Sequence, residues 1–201
     1  MREILIATRN KGKVPEIAAG LAGLGLEFKS VLDVPALEGF EPEETGNTFE
    51  ANAEIKAAEY GAKAHMITIA DDSGLEIDAL HGEPGIRSAR YVEGADVDRY
   101  RAVLAKMQDI PDERRTARFV SVIALYDPEA DKVLTTRGEC AGRILHEPKG
   151  EHGFGYDPIF FADGIGKTFG EATLEEKQSV DHRGKALLQM RAMIEREYPH
   201  N

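Results

Sequence analysis

Cysteine is nearly absent. Cys140 is the only one in 201 residues, so an intramolecular disulfide framework is excluded and the chain fits a reducing compartment. Cys140 itself reads as a small buried hydrophobe. Long hydrophobic runs are missing too: none approaches the ~20 residues a membrane-spanning helix needs. The N-terminus starts directly on an apolar stretch with no signal-peptide pattern, so a soluble, cytoplasmic protein is expected. Basic charge is in short supply. A formal net charge of −11 argues against nucleic acid or an anionic membrane as partner, because both select for basic patches. It leaves a nucleotide-sized anion open, since a few lysines and a divalent cation can make a local positive cleft. There is no internal repeat and no low-complexity linker. What the chain does have is 42% hydrophobic residues, enough for residues 1–201 to bury a full core as one domain or two closely joined lobes.

Strand and helix signals alternate, and the fold class expected is mixed α/β. Glu3 to Ala7 reads as a buried strand, followed by a helix from Lys13 to Leu24 with Pro15 tolerated in its first turn. A second strand spans Glu27 to Leu32. After an irregular acidic stretch, a helix covers Thr48 to Ala64, with Asn47 and Glu50 as its capping pair. A short apolar run, Met66 to Ala70, ends at Asp71-Asp72-Ser73-Gly74, which reads as a turn. Further helices are expected at Val97 to Met107 and His182 to Tyr198, and Thr173 with Glu176 caps a short one. Arg118 to Tyr126 and Lys132 to Glu139 form the strongest strand pair, so the sheet is expected to contain antiparallel pairs. A short strand at Ile159 to Phe161 follows a glycine-rich loop.

The paired aspartates carry the most information. Charges at the end of an apolar run are costly unless paired or bound to metal, and two carboxylates suit a hard cation such as Mg²⁺. A solvated turn explains the same residues. Thr8-Arg9-Asn10-Lys11-Gly12-Lys13 lies between the first strand and helix, where unpaired amides offer a seat for phosphate. It lacks the P-loop spacing, and a capped helix with solvated lysines is the alternative. Lys56 falls on the apolar stripe of Phe49, Ala53 and Tyr60. It either snorkels outward or faces a polyanion. One of Glu41, Glu43 and Glu44 could join the aspartates around a metal.

Gly153-Phe154-Gly155-Tyr156-Asp157-Pro158 combines close backbone approach, aromatics that can stack on a flat base and a carboxylate that can bond a base edge. A loop with aromatic core anchors is the plainer reading. Glu175-Glu176-Lys177 is followed by Asp181-His182-Arg183-Gly184, in which Asp181 suits a helix cap and His182 and Arg183 fall in the first turn, where cations gain nothing for helix stability but could donate to a base carbonyl or a phosphate.

In this order, these segments resemble the inosine triphosphate pyrophosphatase family, the dITP/XTP or non-standard purine nucleoside triphosphate pyrophosphatases, in its bacterial form. The resemblance rests on Thr8-x-Asn10-x-x-Lys13, Glu44-Thr45-Gly46 with Lys56, Ala70-Asp71-Asp72-Ser73-Gly74-Leu75, Pro84-Gly85-Ile86 with Ser88-Ala89-Arg90-Tyr91, Gly153 to Pro158, and Glu175-Glu176-Lys177 with His182-Arg183-Gly184. It covers nearly the whole chain. It implies an elongated mixed sheet flanked by helices, a cleft between two lobes, a homodimer, and Mg²⁺-dependent cleavage between the α- and β-phosphates. It implies Asp72 as the essential acid that binds metal and accepts a proton, Glu44 as the other ligand and Asp71 as support. Thr8, Asn10, Lys13, Lys56 and Lys177 would hold phosphates and sugar with Ser73 nearby. Phe154, Gly155, Tyr156, Asp157, His182 and Arg183 would form the purine pocket. Asp181 stands where the family often has serine, and Arg9 where a small residue is commoner. Two other readings remain at this point: a pyrophosphatase of different base specificity, and a nucleotide-binding sensor without catalysis.

Overall fold

A computed structural model describes residues 2–198. Seven strands form one mixed sheet in the order β2-β1-β3-β4-β5-β6-β7, with β1 Arg2–Ile6, β2 Leu26–Ser30, β3 Thr68–Ile77, β4 Thr116–Asp127, β5 Lys132–Ile144, β6 Phe160–Ala162 and β7 Lys167–Thr168. The helices are α1 Lys13–Gly20, α2 Phe49–Ala64, α3 Asp96–Lys106, α4 Leu174–Val180 and α5 His182–Glu197. β1 runs parallel to both β2 and β3, while β6 is antiparallel to both β5 and β7. The expected mixture of parallel and antiparallel pairs is present.

The described chain divides into two compact units. The first takes residues 2–72, 121–138 and 183–198, the second 73–120 and 139–182. Each has its own core. In the first, Ile17 of α1 and Leu21 just past its end pack with Leu187, Met190 and Ile194 of α5 and with Ile4, Ile6 and Ile69 of the sheet. That is the one-face spacing of an amphipathic helix against strand residues that alternate toward it. In the second, Val103 and Met107 join a cluster dominated by aromatics, Phe119, Tyr156, Phe160 and Phe169. The three Phe rings of this cluster meet one another at centroid distances of 4.7 to 5.9 Å.

Several boundaries differ from expectation. Helix α1 stops at Gly20 and not at Leu24. A Cβ on Gly20 would lie 2.6 Å from Leu187 Cδ1, so the missing side chain is what lets α5 approach. The cap of α2 is Thr48, not Asn47. Its backbone is extended (φ −135°, ψ 160°) and its hydroxyl accepts from the Ala51 amide at 3.1 Å, the geometry a helix cap requires. β5 continues to Ile144, five residues past the expected end. Thr136, Gly138, Cys140, Gly142 and Ile144 alternate inward along it. The glycines weaken the strand signal in the sequence. A Cβ on Gly142 would meet the Phe161 carbonyl at 2.2 Å and the Phe160 ring at 2.7 Å, so β6 pairs closely only because that side chain is missing.

The largest difference concerns the aspartates. Residues 71–74 are not a turn, because β3 runs unbroken from Thr68 to Ile77. Asp71 and Asp72 lie buried in mid-strand, and adjacent strand residues point to opposite faces. Cations on each face make this tolerable.

Candidate functional site

In the first unit, one face of β3 carries a buried ion cluster around Asp71. Lys13 Nζ lies 2.5 Å from Asp71 Oδ2, and Ser121 Oγ on β4 donates to Oδ1 at 2.5 Å. The Arg183 guanidinium, 1% exposed, also reaches Asp71 Oδ1, at 3.2 Å, and forms a second ion pair with Glu16. Burial opposes charge on Asp71, but Arg183, Lys13 and Ser121 outweigh it and hold the carboxyl well below its usual range. Burial also draws the Lys13 ammonium below the ordinary lysine value, against the supporting charge of Asp71. Asp71 is therefore ionised and fully engaged in its ion pairs.

The opposite face belongs to Asp72. Lys56 of α2 points inward, not outward: its ammonium donates to Asp72 Oδ1 at 2.9 Å, to Glu44 at 2.8 Å and to the Asp71 carbonyl at 2.9 Å. Burial alone would lower the Lys56 pKa, and the two carboxylates reverse this and raise it. Asp72 is displaced the other way from Asp71. Burial and the Glu44 charge push its pKa up, only partly countered by Lys56 and Lys13. Its second oxygen, Oδ2, is buried without a hydrogen-bond partner. A buried carboxylate oxygen is costly to leave bare, so this atom is built to take a cation or a water. Among the described residues no group of three or more His, Cys, Asp or Glu side chains is poised around one point. Mg²⁺ usually takes one or two carboxylates and keeps several waters, so the Asp72–Glu44 pair fits it.

The loop from β1 to α1 is wound tightly. The Asn10 amide donates to Thr8 Oγ1 at 3.1 Å, the Gly12 amide to Asn10 Oδ1 at 2.9 Å and the Lys13 amide to the Asn10 carbonyl at 3.1 Å. No side chain caps α1. Thr8, Asn10, Lys13, Glu44, Lys56, Asp71, Asp72 and Arg183 thus all belong to the first unit.

The second unit holds Ser73, Phe154, Gly155, Tyr156, Asp157, Lys177 and His182. Here the aromatic loop is fastened rather than loose. Asp157 Oδ2 accepts from the Phe154 amide at 2.9 Å and from Lys177 Nζ at 2.8 Å, and both charged side chains are buried. The Lys177 ammonium sits over the Phe154 ring, 4.8 Å from its centroid. The Tyr156 hydroxyl donates to the Ser88 carbonyl at 2.8 Å and the Gly155 amide to Asp96 Oδ2 at 2.7 Å. His182 stacks on Phe119 with centroids 4.9 Å apart. Ser73 is half-buried on β3.

Three side chains have partners other than those expected. Arg183, expected at a purine edge, has its guanidinium on Asp71 and Glu16. Asp157, expected to bond a base, and Lys177, expected to hold phosphate, bind one another. Two contributors were not anticipated. Glu16, three residues after Lys13, is a buried carboxylate in the first turn of α1, and Ser121 is the one hydroxyl in the apolar run Val120 to Leu125. A polar residue at an inward position of each element was the available signal.

The mixed sheet, with buried lysines from α1 and α2 gathered on the paired aspartates of β3, defines an α/β protein with a buried cluster of ionic side chains. Comparison with known proteins makes this specific. The model of the Ham1 family matches residues 4–193. A dITP/XTP pyrophosphatase from Symbiobacterium thermophilum is 50% identical over 188 residues, covering 92% of this chain and 91% of that protein. One from Halalkalibacterium halodurans is 50% identical over 192 residues, 94% and 97% of the two chains. Among solved structures, a HAM1 protein from Coxiella burnetii superimposes with a TM-score of 0.86 at 38% identity, over 98% of this chain and 100% of that one. The chain belongs to the Ham1 family.

Proposed function

We propose that the protein hydrolyses non-standard purine nucleoside triphosphates, ITP, dITP and XTP, to the nucleoside monophosphate and pyrophosphate. It thereby removes abnormal purines from the nucleotide pool. Its relatives' names support the substrate class. The observation that carries the chemistry is the bare, buried Oδ2 of Asp72 beside the Lys56–Glu44 ion pair. Attack at a phosphorus ringed by anionic oxygens needs charge neutralisation, alignment and a proton acceptor.

Lys13 and Lys56, with Thr8 and Asn10, hold the triphosphate. Asp72 orients the attacking water and takes its proton. The water oxygen bonds to the α-phosphorus, the bond to the α–β bridging oxygen breaks, and pyrophosphate leaves. Mg²⁺, held by Asp72 and Glu44, supplies charge neutralisation when bound. Asp71 and Arg183 act as positioning groups that keep Lys13 and the strand in place. Phe154 and Tyr156 flank the base, with Gly155 giving it room and Ser73 near the sugar. His182 donates toward a 6-oxo group, while Lys177 and Asp157 set the loop. A donor facing an adenine amino group would be mispaired, and such buried mismatches discriminate strongly. From the same family resemblance we take the protein to be a cytoplasmic homodimer. No helix among the described residues is long and apolar enough to cross a membrane.

The test is a panel of ITP, dITP, XTP, ATP and GTP with Mg²⁺, with pyrophosphate and orthophosphate assayed separately. Pyrophosphate and a monophosphate from the first three are expected. Orthophosphate with a diphosphate would overturn the α–β assignment, and equal rates on ATP would overturn the specificity.

A further inference from the structure

Arg9 lies between Thr8 and Asn10 in the β1–α1 loop, yet it points to a segment 31 residues away. Its guanidinium donates to the Phe40 carbonyl at 2.8 Å and lies 3.5 Å from the Glu41 carboxylate. Phe40 is anchored from the other side by α2. The Tyr60 hydroxyl donates to the same carbonyl at 3.4 Å, the two rings meet edge to face at 5.5 Å, and the Lys63 ammonium sits 4.8 Å from the Phe40 centroid. Phe40 is thus gripped by α2 and by Arg9 together. Four residues on is Glu44, which meets Lys56. Residues 41–46 form no helix or strand, and Glu41, Glu43 and Glu44 repel one another along this segment.

We propose that Arg9 is a positioning residue for Glu44: it straps the acidic segment 38–44 to the β1–α1 loop and so sets the affinity of the Glu44–Asp72 pair for a divalent cation. The inference rests on the proposed function for the identity of the cation, but the strap itself is a structural claim. Holding Phe40 limits the positions that a segment with little regular hydrogen bonding can reach, which reduces the entropy lost when Glu44 is fixed. The Arg9 charge beside Glu41 also offsets the mutual repulsion of the three glutamates. Its reach toward Phe40 directs it away from a role as a simple phosphate contact.

The experiment uses the full chain and its Arg9→Ala and Arg9→Lys variants. Mn²⁺ binding without nucleotide is followed by the electron-spin-resonance signal of the free ion. Hydrogen exchange of 38–46 is measured by mass spectrometry, and initial rates on ITP are measured against Mg²⁺ concentration. Arg9→Ala should weaken Mn²⁺ binding about threefold to tenfold, the size of one partly exposed charge-assisted hydrogen bond. It should also speed exchange over 38–46 while leaving Thr116–Asp127 unchanged, and raise the Mg²⁺ requirement with little loss of kcat at saturation. Arg9→Lys, which keeps a donor for the Phe40 carbonyl, should fall between. Unchanged exchange with unchanged Mn²⁺ affinity overturns the strap. So does a rise confined to the KM for ITP, since Arg9 would then touch substrate. Should the wild type release no pyrophosphate from any triphosphate, the proposed function fails, while the Mn²⁺ and exchange measurements still judge Arg9.

Discussion

Both units brace a buried aspartate with a cation, and only the first adds a neighbour that is incompletely paired. In the first, two neighbouring aspartates on β3 face different surroundings: Asp71 is saturated by Lys13, Arg183 and Ser121, whereas Asp72 shares Lys56 with Glu44 and keeps one oxygen bare. In the second, the buried Asp157–Lys177 pair serves a loop, and the lysine is shared with the face of Phe154. Saturated groups brace, and an incompletely saturated one is available for chemistry. That contrast separates Asp72 from Asp71 and Asp157, buried aspartates that look equally suited to catalysis by residue type.

The largest effect should come from Asp72→Asn, which keeps the shape but removes the proton acceptor. Turnover on ITP should fall by about 10²- to 10⁴-fold, with nucleotide binding measured by calorimetry largely kept; undiminished turnover would erase the distinction between the two aspartates. Next, Arg183→Met should act on stability, because it removes the buried cation that Asp71 and Glu16 share. A loss of about 3–5 kcal/mol in denaturant unfolding is expected, and a merely surface-sized loss would mean that Arg183 is no brace. In the second unit, Phe154→Ala should raise the KM for ITP by roughly 5- to 100-fold, matching the ~1–3 kcal/mol of base–aromatic stacking, with kcat less affected. A change in kcat alone would remove Phe154 from the base contact. Smallest, Gly20→Ala pushes against Leu187 in the first core and should cost about 1–3 kcal/mol of overpacking with the substrate preference unaltered. Thermal unfolding and the ITP-to-ATP rate ratio check it together.

Much of the fold was legible because period and capping are local. The amphipathic spacing of Ile17 and Leu21, the Thr173–Glu176 box and the apolar run of β4 each lie within a few residues, and the structure has all three elements. The close approaches depend on distant partners. Nothing near Gly20 or Gly142 in sequence announces Leu187 or Phe160, for which their missing side chains leave room. The same holds at the site. Lys56 on an apolar stripe pointed inward or outward with equal warrant until Glu44 and Asp72 supplied its partners. Glu16 and Ser121 went unnoticed because a lone acidic residue in a helix, or a lone serine in a strand, is ordinary.

By itself the sequence determined the α/β class, the order of the motifs and the family, since these rest on residue types and spacing along one chain. The tertiary structure alone decided that Asp71-Asp72 is strand and not turn. A carboxylate pair reads as a turn wherever it must meet water, and only cations brought from α1, α2 and α5 make its burial affordable. It also decided which aspartate is braced and which is open, because that depends on how many donors each face of β3 receives.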